Sequence, residues 1–82
     1  MTKNEFQAVN ALYIKLMEKG KENRTEQEEL QYTYLDKLIT YIRLRSTAIR
    51  MGNKNPDDNF MVKDAKSRME EAQRNMNNAM NA

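Results

Sequence analysis

Val62-Lys63-Asp64-Ala65-Lys66-Ser67-Arg68-Met69-Glu70-Glu71-Ala72-Gln73-Arg74-Asn75-Met76-Asn77-Asn78-Ala79 is the stretch on which the reading of this chain turns. Its apolar members, Val62, Ala65, Met69, Ala72, Met76 and Ala79, fall alternately three and four residues apart. That is the a/d pattern of a helix, coiled-coil-like, packed on another helix. Alanine at every d position admits a close backbone, and methionine at a adapts to an irregular neighbour. The seam is narrow and buries little area alone, so it needs a partner. The six residues are a candidate partner or oligomer interface; an internal core seam is the plainer alternative.

Composition points toward such support from outside. Eighty-two residues allow one small helical domain, 1–82, and a core of that size is marginal. Cysteine and histidine are absent, which removes disulfides and most metal sites as remedies. Oligomerisation is the remaining one, with a homodimer as the expected state. Lysine and arginine number 14 against 12 acidic residues, an excess too small to imply nucleic acid as the main partner. Mean hydropathy is −0.99, and no apolar run approaches the ~20 residues of a membrane span. Residues 1–16 show no basic stretch leading into an apolar one, so no signal peptide is expected. The expected location is the cytoplasm.

Upstream of the seam, the pattern predicts a helical hairpin. Thr2 and Glu5 make a capping box ahead of Phe6, Val9, Leu12, Tyr13, Leu16 and Met17. Gly20 suits the left-handed position that ends a helix, giving a helix over about 3–19. Thr25 and Glu28 repeat the box. A broad apolar face from Leu30 to Met51 follows, and Gly52 closes it, for a helix over about 26–51 and roughly 39 Å long. The first helix cannot cover all of the second, which leaves apolar surface for another neighbour. Residues 52–58, with Gly52 and Pro56, form the linker. Asp57 or Asp58 would cap a third helix over about 59–78, fraying through the Asn-rich stretch from Asn75. Pairs Asp64–Arg68 and Glu70–Arg74 support that helix at i,i+4. Strand signals are missing. The fold class is all-α: an antiparallel hairpin with a heptad-patterned third helix.

The residues offer little for catalysis. There is no His or Cys for general-base or thiol chemistry, and no glycine-rich phosphate loop. Asp57-Asp58-Asn59 lacks the alternating carboxylates of a calcium loop and reads as a helix cap. No catalytic residue, metal or cofactor is expected. Two contact candidates stand beside the seam. Arg43, Arg45 and Arg50, near Lys54 and Tyr41, could grip an anion or a partner; equally, cations belong at the negative end of a helix. Arg43 and Arg50 share a face, and Arg45 lies about 160° from Arg50. Tyr32 departs by a similar angle from the face of Tyr34 and Tyr41. It is expected to be exposed and is the single aromatic favoured for an intermolecular contact.

Two segments, Asn4-Glu5-Phe6-Gln7-Ala8-Val9-Asn10-Ala11-Leu12 and Tyr34-Leu35-Asp36-Lys37-Leu38-Ile39, carry a likeness that extends over the full length. The chain resembles the lysis-inhibition accessory proteins of T-even bacteriophages, the third of the rapid-lysis group. The resemblance implies an antiholin in the host cytoplasm that binds the cytosolic segment of a holin and delays lysis. It transfers no functional residue. The reading of the sequence is a non-enzymatic interaction protein. Its alternatives are a small nucleic-acid-binding regulator using the basic end of the second helix and a structural helical assembly protein.

Overall fold

A computed structural model describes residues 2–81. It contains three α-helices, α1 (Lys3–Lys19), α2 (Glu26–Arg50) and α3 (Phe60–Met80), with 3-10 turns at Lys21–Asn23 and Pro56–Asp58. No strand occurs among the described residues, and the protein is all-α.

Each helix begins on a side-chain cap. Thr2 Oγ1 accepts from the Glu5 amide at 3.2 Å, which is one half of the box expected there. At Thr25 both halves form: its Oγ1 accepts from the Glu28 amide at 3.1 Å, and Glu28 Oε1 accepts from the Thr25 amide at 3.1 Å. The cap of α3 differs from expectation. Asn59 supplies it, its Oδ1 accepting from the Met61 amide at 2.9 Å and the Val62 amide at 3.4 Å. Asp57 and Asp58 instead occupy the 3-10 turn begun by Pro56, whose missing N–H suits that first position.

Glycine ends the first two helices. Gly20 takes φ +82° with an extended ψ of 149°, a region essentially restricted to glycine. After α2, the Gly52 amide bonds to the Ile49 carbonyl and the Asn53 amide to the Ala48 carbonyl, both at 3.0 Å. This paired closure is the Schellman arrangement, and it requires the positive φ of +84° found at Gly52.

Contacts between α1 and α2 run in opposite order along the two helices. Lys19 meets Glu28, Tyr13 meets Tyr32 and Asp36, and Phe6 lies near Ile42. The helices are therefore antiparallel. The same holds for α3: Met76 and Ala79 lie by the start of α2, Ala72 and Arg68 by Leu30 to Lys37, and Phe60 and Met61 by Thr40 and Leu44. Thus α2 is the axis of a molecule 42 Å long, and the start of α1, the end of α2 and the start of α3 share one end.

The two neighbours pack differently on α2. The small residues of α3 let it lie close along nearly all of α2, whereas α1 meets α2 less intimately. Val62, Ala65 and Ala72 are buried, with Val62 only 1% exposed; Met69, Met76 and Ala79 are half-buried. Leu35, Leu38, Ile39 and Ala48 of α2 complete the core, to which α1 contributes Leu16 alone. The predicted fraying from Asn75 is absent, since α3 continues to Met80. Asparagine has poor intrinsic helix preference, but packing of Met76 and Ala79 overrides it.

Candidate interaction site

Three features of the fold bear on what the chain could contact. The first closes the α1–α2 hairpin. Tyr32 stacks on Tyr13 with ring centroids 5.1 Å apart and planes 8° from parallel. On Tyr32 lies the Arg24 guanidinium, its Cζ 4.1 Å from the ring centroid, a cation–π contact. Arg24 Nη1 donates to the Leu16 carbonyl at 2.8 Å, satisfying an acceptor at the end of α1, and its Nε pairs with Glu29 at 2.7 Å. Its side chain is only 8% exposed. The expectation for Tyr32 is corrected here: it is half-buried in a contact within the chain. Its helical angle does take it off the face that meets α3, but that angle points it at α1.

Tyr13 anchors the same cluster. Its hydroxyl donates to Asp36 Oδ1 at 3.1 Å. The adjacent Tyr32 side chain, partial removal from water and the Asp36 carboxylate all push its ionisation well above the usual phenol range. Below it, Lys19 Nζ lies 2.8 and 2.7 Å from the two oxygens of Glu28. Lys19, and next the Thr25 amide, hold the Glu28 carboxyl below its ordinary value. Arg24 and Asp36 have no signal of their own in the sequence, and Tyr13 is marked there only as a member of the apolar face of α1. Only the antiparallel register across a short connection brings them together.

The second feature is a groove of about 580 Å³ where the start of α1 parts from the end of α2. Phe6 and Ile42, both half-buried, give it apolar walls. Exposed Lys3, Arg43 and Arg50 stand around it, with the hydroxyls of Thr2, Ser46 and Thr47. Arg50 Nη2 lies 3.4 Å from Thr47 Oγ1. Among the described residues no carboxylate lines the groove. It can hold an apolar side chain while cations and hydroxyls engage an acceptor beside it. Of the predicted basic cluster, Arg43 and Arg50 belong here.

Arg45 does not. It turns to the other side of α2, where its Nε lies 3.0 Å from Asp57 Oδ1. The guanidinium holds the Asp57 carboxyl low, and the carboxylate raises Arg45 in return. This pair ties the 52–58 connection to α2. The three arginines therefore do not form one surface. Along α3, Asp64 and Arg68 pair at 3.0 Å, and the Glu70–Arg74 pair expected one turn on is not among the ion pairs of the described residues.

The third feature is the seam. Val62, Ala65 and Ala72 are buried within the chain, and Met76 and Ala79 lie beside the start of α2; Met69, Met76 and Ala79 are half-buried, so the apolar area of the seam is largely taken up inside one chain. What remains exposed and apolar lies elsewhere: Leu12, Ile14 and Met17 on α1, Ile49, Met51, Phe60 and Met61 around the α2–α3 connection, and Met80 at the end of α3. Among the described residues no group of three or more acidic side chains is placed to hold a metal ion. No helix of those residues is long and apolar enough to cross a membrane. Comparison with protein-family models, with curated proteins and with solved structures gives no match to this chain.

Proposed function

We propose that this chain is a non-enzymatic helical interaction protein whose docking site is the groove between the start of α1 and the end of α2. The observation that carries this reading is the lining of that groove. Phe6 and Ile42 offer apolar walls, and Lys3, Arg43 and Arg50 surround them with no carboxylate among the described residues of the lining. An apolar pocket with a charged rim is the form in which a side-chain anchor and its flanking polar groups are recognised. The resemblance to the lysis-inhibition proteins of T-even phages implies as partner the cytosolic segment of a holin, and the groove is offered as the surface that takes it. Binding the unassembled holin in preference to its assembled state would delay lysis by mass action, with no chemical step required.

The experiment is recovery of partners by the tagged chain from detergent-solubilised, nuclease-treated lysate of phage-infected cells, read by mass spectrometry. The expected outcome is recovery of the holin, competed by its soluble cytosolic segment and lost with Phe6→Ser or Arg43→Glu. Holin recovery that survives both substitutions would remove the groove as the site. Recovery of no holin, with nucleic acid retained when nuclease is omitted, would replace this reading with the nucleic-acid regulator.

A further inference from the structure

The end of the molecule formed by the last turn of α2, the 52–59 connection and the first turns of α3 combines two properties rarely found together on a free surface. Met51 and Phe60, on either side of the connection, are 82% and 83% exposed. Met61 is 60% exposed, and Ile49 is half-exposed beside them. Exposed large apolar side chains gathered in one place mark a surface that meets another phase or another molecule.

Charge is concentrated at the same end. Between residues 43 and 68, seven Lys and Arg face three Asp, a local +4 in a chain whose net charge is only +2. Two of the three aspartates are already engaged, Asp57 by Arg45 and Asp64 by Arg68. Asp58 is the third. Arg50, Lys54 and Lys63 make no ion pair among the described residues. The helix arrangement adds to this, since two N-termini and one C-terminus meet here and the dipoles leave a positive remainder. A second copy of this chain is a poor occupant, because a two-fold contact through this end would bring like charges together.

We infer that this end docks on an anionic lipid bilayer, with Met51, Phe60 and Met61 entering the headgroup–acyl boundary and Arg50, Lys54 and Lys63 held at the lipid phosphates. Apolar side chains and cations act jointly in such binding, and neither set suffices alone. Long basic side chains suit the arrangement, because their stems lie along the apolar groups while their heads reach the phosphates. Arg50 also stands at the rim of the groove at Phe6, whereas Met51, Lys54, Phe60, Met61 and Lys63 lie outside that groove, and the test draws its substitutions from these.

The test is flotation of the full chain with vesicles of phosphatidylglycerol and phosphatidylcholine, and with vesicles of phosphatidylcholine alone. Binding is expected to the anionic vesicles only and to weaken with added salt. Lys54→Gln and Lys63→Gln should each lower partitioning about fivefold. The Phe60→Ser/Met61→Ser pair should lower it about tenfold, with circular dichroism unchanged because both residues are exposed. Absence of flotation with anionic vesicles overturns the inference, as does equal flotation with neutral ones. If the substitutions leave flotation intact but abolish capture of a protein, this end is a protein interface and the lipid assignment fails.

Discussion

Tyr13 and Tyr32 lie face to face across the α1–α2 hairpin, centroids 5.1 Å apart, and Arg24 closes over the outer face of Tyr32. Because α1 adds only Leu16 to the buried core, this stack carries much of its attachment. Tyr32→Ala removes an aromatic pair and a cation–π contact together. The expected loss is about 2 kcal/mol of stability, read as a lower urea midpoint. An unchanged midpoint would mean that α1 is held by other contacts.

The Tyr13 hydroxyl makes the hairpin sensitive to alkali. Its folded-state ionisation is raised above the ordinary value of 10.0, so below that pH both folded and unfolded chains keep the proton and the bond to Asp36 is intact. Above it the unfolded chain ionises first, and stability falls as pH rises toward the folded value. Tyr13→Phe should cost about 1 kcal/mol at neutral pH. It should also make the alkaline decline in denaturation midpoint shallower. Parallel declines for the two proteins would show that Tyr13 is not the group responsible.

At the acid end the sign reverses. Glu28 and Asp57 are both lowered in the folded state, by Lys19 and Arg45 respectively. Their contribution is complete above the ordinary values of 4.5 and 3.8 and is lost as pH falls through the depressed folded values. A Glu28→Gln/Asp57→Asn double variant should therefore show a flatter fall of melting temperature with acid than the parent. Both ion pairs are exposed, so salt should narrow the difference.

How much of this was legible in the sequence depended on whether a feature was local. The cap at Thr25 and the break at Gly52 follow from nearest neighbours in the chain, and both appear where the pattern puts them. The run Asp57-Asp58-Asn59 offers three possible caps, and local preference cannot choose among them. A residue twelve positions away decides, because Arg45 draws Asp57 to α2 and leaves Asn59 at the start of α3. Tyr32 and the groove at Phe6 fail for a related reason. A helical wheel shows which residues share a face of one helix, but it does not show what the next helix brings to that face. Lys3 reaches Arg43 and Arg50 only through the antiparallel register of α1 on α2.

Gly52 and Gly20 allow a backbone prediction free of packing effects. A Cβ added at either would meet nothing within 4 Å, so any cost comes from conformation alone. Gly52→Ala should destabilise by about 1 kcal/mol, the penalty of a left-handed residue. Gly20→Ala should cost more, about 2 kcal/mol, since its positive φ with extended ψ is closed to side chains. Differential scanning calorimetry would rank them. Equal losses would indicate that the turn at Gly20 relaxes to another conformation.

The seam predicts how stability responds to protein concentration. Val62, Ala65 and Ala72 are buried against α2 of the same chain, in an interface whose closeness depends on small side chains. Ala65→Leu adds volume where the backbones approach, and overpacking of that kind costs about 1–3 kcal/mol. Because the contact is made within one chain, the loss should be the same at every protein concentration. The melting temperature of the parent should also be independent of concentration. A seam exchanged between chains behaves otherwise: folding is then linked to association, and the melting temperature climbs as the protein is concentrated. Melting curves of parent and Ala65→Leu over a wide concentration range separate the two cases. A concentration-dependent midpoint that disappears in the variant would move Val62, Met69 and Met76 from the core of one chain to the junction between two.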